Sequence, residues 1–241
     1  MDRELLTITE NEPLTASVFR MRLSGCAGGY LPGQFVNVAL PGLYLRRPIS
    51  VCDLADGTLT LIYKVVGRGS ELMSRLRPGE KLDVLTGLGN GYDLAAAGDA
   101  PLLVGGGVGV PPLYYLAKEL IKQGKTVSVV LGFNTKDEIF YEDEFRALGC
   151  QTAVTTADGS RGVKGFVTDA LPGGASYYYA CGPLPMLKAL YRAAPFPGEM
   201  SFEERMGCGF GACMGCSMMT KSGAKRVCRE GPVFKKEELL W

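Results

Sequence analysis

Cys208, Cys213, Cys216 and Cys228 crowd into one stretch near the end of the chain. They are spaced Cys-x4-Cys-x2-Cys, with the fourth after eleven further residues. Three close thiolates and a fourth from a separate segment form the plant-type ligand pattern of a [2Fe–2S] cluster. A loop can wrap such a cluster only if it curves tightly and aims backbone N–H groups at the sulfurs. Gly207, Gly209, Gly211 and Gly215 permit both. Zinc knuckles usually carry two Cys-x2-4-Cys pairs, and the second pair is missing here. Disulfides fit poorly, because the other four cysteines (Cys26, Cys52, Cys150 and Cys181) are scattered and the N-terminus has no signal-peptide apolar region. Cys26, Cys52 and Cys150 read as small buried hydrophobes. A reducing, cytoplasmic location is expected.

A second motif is Gly105-Gly106-Gly107-Val108-Gly109-Val110-Pro111-Pro112, between an apolar strand and an amphipathic segment. There a nucleotide phosphate can meet the N–H groups that open a helix. No Gly-Lys-Ser/Thr follows, so it is not a P-loop. Cys181-Gly182-Pro183 ends a later apolar strand, where ligands of open α/β sheets bind, and Cys181 is expected to line the nicotinamide site. After the second strand the chain reads Gly132-Phe133-Asn134-Thr135-Lys136-Asp137. With no arginine ready for a 2′-phosphate, NAD is favoured over NADP.

Histidine is absent from the 241 residues. That excludes Ser-His-Asp triads, Cys-His dyads, histidine-bound zinc or haem, and Rieske centres. Lys+Arg is 26 against 25 Asp+Glu, a formal charge of +1, which gives no electrostatic reason to expect nucleic acid or an anionic membrane. No run approaches the roughly 18 apolar residues of a membrane helix.

The elements that must position these motifs fall into three parts. Residues 1–98 read as short strands separated by turns: Leu5 to Ile8, Ala16 to Leu23, Gln34 to Leu40, Thr58 to Val66 and Lys81 to Leu85, with a helix over Ser70 to Arg77. This spacing predicts a small antiparallel barrel. Residues 99–200 alternate strand and helix. Strands are expected at Ala100 to Val104, Thr126 to Leu131, Gln151 to Thr155 and Tyr177 to Cys181. Helices are expected at Leu113 to Gln123, Asp143 to Leu148, Val167 to Leu171 and Pro185 to Ala193. Such alternation predicts a doubly wound parallel sheet. Residues 201–241 carry the cysteine cluster and a polar tail.

Leu45-Arg46-Arg47-Pro48-Ile49-Ser50, expected between two strands, carries an Arg-x-x-Ser that resembles the flavin signature of the ferredoxin–NADP reductase superfamily. The resemblance implies a six-stranded FAD barrel followed by an α/β nicotinamide domain. Arg47 would then meet the FAD pyrophosphate, with Pro48, Ile49 and Ser50 beside the isoalloxazine. Ile62, Tyr63, Lys64, Gly69 and Ser70 resemble the remaining flavin contacts. Gly105, Gly106, Gly107, Gly109, Cys181, Gly182 and Pro183 would serve NAD.

The whole set, including Glu204 to Phe234, is similar to the electron-transfer subunits of class B dihydroorotate dehydrogenase. That similarity implies a partner, an FMN-containing catalytic subunit that oxidises dihydroorotate for pyrimidine biosynthesis, in a heterotetramer of two subunits of each kind. Electrons would run from FMN through [2Fe–2S] and FAD to NAD⁺. The neighbouring alternative is the flavin subunit of a sulfhydrogenase or of a ferredoxin:NAD(P) oxidoreductase; some of those carry Asp at one cluster position, and here all four are Cys. A different class, a nicotinamide-binding redox sensor with a structural metal site, predicts no flavin and no diaphorase activity.

Overall fold

The computed structural model describes residues 1–241. Six strands open the chain: β1 (Asp2–Pro13), β2 (Val18–Ser24), β3 (Phe35–Val38), β4 (Arg47–Ala55), β5 (Thr58–Lys64) and β6 (Lys81–Leu88). They close into an antiparallel barrel in the order β1-β2-β5-β4-β3-β6. Inward residues such as Leu6, Met21, Val36, Val51, Leu61 and Val84 fill it, in the period-2 alternation of half-buried strands. Helix α1 (Arg68–Ser74) follows β5, two residues ahead of the helix expected at Ser70.

Five of the six barrel strands were expected from the sequence; β4 was not. Residues 47–50 do not lie between strands but open β4, pairing Arg47 with Val38 and Ser50 with Phe35. The miss has a physical cause. Arg-Arg-Pro is a turn-like composition, and these first four residues are only half buried, so no alternating apolar pattern marks them.

The second unit contains β7 (Pro101–Gly106), α2 (Pro111–Lys122), β8 (Ser128–Phe133), α3 (Glu142–Ala147), β9 (Gln151–Thr156), β10 (Val163–Lys164), β11 (Tyr177–Cys181), α4 (Leu184–Ala193) and β12 (Gly198–Ser201). The stretch expected as a helix at 167–171 is a single 3-10 turn, Val167–Ala170. The sheet runs β10-β9-β8-β7-β11-β12 in parallel. Strand order reverses at β7, so the loops after β7 and β11 open onto one crevice. Leu113, Leu116 and Leu120 of α2 and Phe145 of α3 cover one face, and Leu187 and Leu190 of α4 cover the other.

The last segment adds the hairpin β13 (Ser217–Thr220) and β14 (Gly223–Arg226), then β15 (Val233–Lys235). What read as a polar tail contains an edge strand: β15 pairs antiparallel with β12 and extends the sheet to seven strands. The barrel is fixed to the sheet through α2, which packs on β4; the Tyr115 hydroxyl donates to the Tyr30 carbonyl at 3.1 Å.

Candidate functional site

A cavity of about 450 Å³ opens between the barrel and the C-terminal segment. Its wall takes Arg47, Pro48, Ile49 and Ser50 from the start of β4, and Ile62, Tyr63 and Lys64 from the end of β5. Gly69 and Ser70 of α1 complete the group, so all nine flavin candidates meet in one place. The two adjacent arginines diverge. Arg46 reaches Asp83 Oδ1 at 2.9 Å and the Asn37 carbonyl at 3.2 Å, away from the cavity. Arg47 lies across the first turn of α1, where a Cβ added at Gly69 would sit 2.1 Å from its Nε. Glycine at 69 is therefore what lets a guanidinium rest on the helix start, a geometry that suits a pyrophosphate. The Ser70 hydroxyl accepts from the backbone N–H of Val66 at 2.8 Å and of Gly67 at 3.2 Å, so it holds the turn. The Tyr63 hydroxyl points back to Asn11 Oδ1 at 2.8 Å, and burial pushes its pKa up.

A second cavity, about 640 Å³, lies at the crevice where strand order reverses. Gly106, Gly107, Gly109, Gly182 and Pro183 line it; Gly105 and Cys181 do not. A Cβ at Gly105 would press on Val110 and Leu113 at 3.0–3.1 Å, so that glycine serves strand-to-helix packing. The Cys181 side chain is 2% exposed, inside the apolar core beneath α2, and burial pushes its thiol up. Its contribution is its carbonyl, which a Cβ at Gly109 would approach to 2.2 Å.

Lys64, Val108 and Glu203 line both cavities, which therefore share a wall. Burial raises the Glu203 carboxyl, although the side chain remains open to the cavity itself. Glu203 was not singled out in the sequence, and no spacing marks it; Val108 lies inside the glycine motif without being named as a site residue. Phe166 was missed too: it is 70% exposed, yet lines the second cavity.

The four clustered thiols form two pairs. The Cys213 N–H points at Cys208 Sγ (3.4 Å) and the Ala212 N–H at the same sulfur (3.2 Å). The Cys228 N–H points at Cys216 Sγ (3.4 Å). Cys208 and Cys213 form the outer, more accessible pair; Cys216 and Cys228 are each 2% exposed. Burial works to raise the Cys208 thiol, but backbone N–H groups of Phe210, Cys213 and Ala212 outweigh it and bring it down to about 6. Burial, with Cys216 beside it, pushes Cys228 up to about 12. Two neighbouring thiol pairs, with N–H groups already turned to sulfur, match a two-iron cluster better than a mononuclear site.

A closed barrel bearing an arginine-on-helix cradle, a sheet crevice sharing its wall, and a four-thiol loop define an oxidoreductase of the ferredoxin-reductase type with an iron–sulfur module. Over 258 aligned positions, covering 100% of the chain and 99% of the relative, it is 46% identical to the dihydroorotate dehydrogenase B (NAD(+)), electron transfer subunit, of Geobacillus sp. (strain WCH70). The chain belongs to the family of dihydroorotate dehydrogenase B electron-transfer subunits. The corresponding subunit of Fusobacterium nucleatum subsp. nucleatum is 43% identical, with 97% of each chain covered.

Residues 203–240 match the iron–sulfur cluster binding domain of dihydroorotate dehydrogenase B, and residues 103–192 match the oxidoreductase NAD-binding domain. A solved structure of an NADH-dependent reduced ferredoxin-NADP oxidoreductase, described in connection with flavin-based electron bifurcation, superposes with a TM-score of 0.90. It is 33% identical, with 99% of this chain and 90% of that chain covered. No helix is long and apolar enough to cross a membrane.

Proposed function

We propose that the chain carries electrons between an FMN-containing catalytic subunit, which oxidises dihydroorotate to orotate, and NAD⁺. The observation that carries this reading is the shared wall: the flavin-type cavity touches the nicotinamide-type cavity at Lys64, Val108 and Glu203, and touches the cysteine segment at Met206. When bound, FAD exchanges one or two electrons, the [2Fe–2S] cluster one, and NAD⁺ a hydride, so the set can join a one-electron to a two-electron partner.

The chain's own residues supply binding and alignment. Arg47 and the start of α1 hold the flavin pyrophosphate, while Pro48, Ile49, Ser50, Ile62, Tyr63 and Lys64 form the wall for the ring. Gly106, Gly107 and Gly109 let nicotinamide phosphates approach backbone, and Gly182 and Pro183 close the pocket beside them. Gly105 and Cys181 shape that loop from behind. Cys208, Cys213, Cys216 and Cys228 hold iron.

NAD is the favoured nucleotide, because Lys64, at the flavin end, is the single cation on the second cavity, and Glu138 stands on its wall. The cytoplasm and a heterotetramer with two copies of each subunit complete the reading, with residues 1–98, 99–200 and 201–241 as flavin, nicotinamide and cluster modules. Co-purification with the catalytic subunit, followed by assay of dihydroorotate-dependent NAD⁺ reduction, tests it. Flavin and iron in the purified chain without dihydroorotate-dependent NADH formation, together with activity on reduced ferredoxin, would overturn it.

A further inference from the structure

We propose that Asn37 is a positioning residue that ties the iron-binding loop to the flavin strands of the barrel. All four residues of β3 are buried, and Asn37, 1% exposed, is the single polar side chain among them. An apolar residue would suit such a strand better, since Asn is disfavoured in strands and its amide must shed water. Its Nδ2 crosses from the barrel to donate to the Cys208 carbonyl at 3.1 Å. Its Oδ1 is buried without a partner, so barrel packing does not account for the amide.

The loop is shaped to receive it. Gly209 adopts φ 78°, and a Cβ there would lie 2.2 Å from Asn37 Nδ2. The other end of the contact leads to the flavin wall: Asn37 pairs with Pro48, and Phe35, two residues along on the same strand face, lines the flavin cavity and pairs with Ser50. Phe35 also packs in the core that buries Cys216 and Cys228. A single strand face thus lines the flavin cavity, meets the Cys208 carbonyl and shares a core with Cys216 and Cys228. Arg226 Nη1 donates to the Gly211 carbonyl, so the loop is pinned at 208 by the barrel and at 211 by its own segment.

The proposal rests on reading Cys208 as an iron ligand. Asn37 fixes the backbone that aims the Ala212 and Cys213 N–H groups at Cys208 Sγ, and hydrogen bonds to sulfur raise a cluster's potential. The test compares wild type, Asn37→Leu and Asn37→Asp, each purified with its cofactors. In both variants the tie predicts a lower cluster midpoint potential, an altered cluster EPR signal, and cluster reduction by NADH slowed relative to flavin reduction. In iron-free protein it predicts amide exchange over residues 207–213 faster by about fivefold, the equivalent of one net hydrogen bond.

Loss of iron with FAD retained in either variant reports the same tie. Unchanged potential, EPR signal and exchange would overturn the proposal. If wild type takes up no iron, the ligand reading fails while the exchange comparison still decides the tie. If Asn37→Leu does not fold, Asn37→Asp, nearly isosteric and without a donor once ionised, carries the same readings at a pH high enough to ionise it.

Discussion

Lys118 on α2 and Asp53 on β4 form a two-point ion pair, with Nζ 2.6 and 2.8 Å from the two carboxylate oxygens. The side chains are 19% and 16% exposed, so the pair is screened less than a surface bridge. It joins the helix behind the glycine loop to the strand that begins with Arg47. Removing one partner leaves a charge half buried, so Lys118→Met should destabilise the fold by roughly 1–3 kcal/mol. It should also slow flavin reduction by NADH, because the two cavities lose a fixed spacing. Chemical denaturation and stopped-flow flavin bleaching check the two effects; wild-type values in both would refute the role.

Arg47 and Gly69 are mutually dependent, since only a residue without Cβ leaves the guanidinium its place over α1. Arg47→Ala removes the cation, and Gly69→Ala displaces it. Both should lower flavin retention, by about tenfold in affinity for the loss of one charge-assisted contact. Flavin content after gel filtration reads this directly. An Arg46→Ala variant is the contrast: Arg46 serves Asp83 and the Asn37 carbonyl, so flavin should stay bound.

Cys213 is the exposed member of the outer thiol pair. Cys213→Ser should abolish the visible bands of the cluster and the passage of electrons to or from the catalytic subunit. NADH oxidation with an acceptor that takes electrons from flavin should persist, because both cavities lie apart from this side chain. An intact cluster spectrum in the variant would remove Cys213 from the ligand set.

Phe166 is 70% exposed on the wall of the second cavity, and its N–H is anchored to Asp169 Oδ2 at 2.7 Å. A large exposed aromatic fixed at a cavity offers a stacking face for a base. Phe166→Ala should raise the KM for NADH roughly tenfold, the scale of one lost base–aromatic stack, with kcat little changed. Titration of the oxidised variant with NAD⁺, between which no hydride passes, gives the affinity directly, and an unchanged KM would assign Phe166 to packing alone.

The barrel and the alternating sheet were legible because each rests on a local pattern, whereas the flavin candidates were marked by a resemblance and are gathered into one cavity by the fold. Period-2 alternation, turn residues and a glycine run before an amphipathic helix all lie within a dozen residues. The start of β4 was not legible, because its half-buried polar residues serve a cavity rather than a core. Cys181 misled for a related reason: a strand end at a crevice presents alternate side chains to cavity and core, and sequence does not give the phase. Glu203 and Asn37 acquire meaning only when distant segments meet. Asn37 and Cys208 are 171 residues apart. The edge strand β15 was hidden by its length of three residues and by the charged stretch after it.

Glu199 gives the fold a pH dependence whose direction can be fixed. It sits on β12, 3% exposed, and accepts from the Asp93 N–H at 2.9 Å in the segment joining barrel to sheet. Burial, reinforced by the Asp93 charge and only partly offset by that hydrogen bond and by Lys235, raises its carboxyl to about 6 from 4.5. The folded chain therefore holds this proton more tightly than the unfolded chain does. Stability from this group is intact below about pH 4.5 and is lost as pH rises to about 6, by about 2 kcal/mol in all. Glu199→Gln removes the charge and keeps an acceptor for the Asp93 N–H. The variant should match wild type at pH 4 and exceed it at pH 7 by up to that amount. Urea unfolding at the two pH values decides it: a variant equally or less stable at pH 7 would mean that the ionised carboxylate is compensated where it stands.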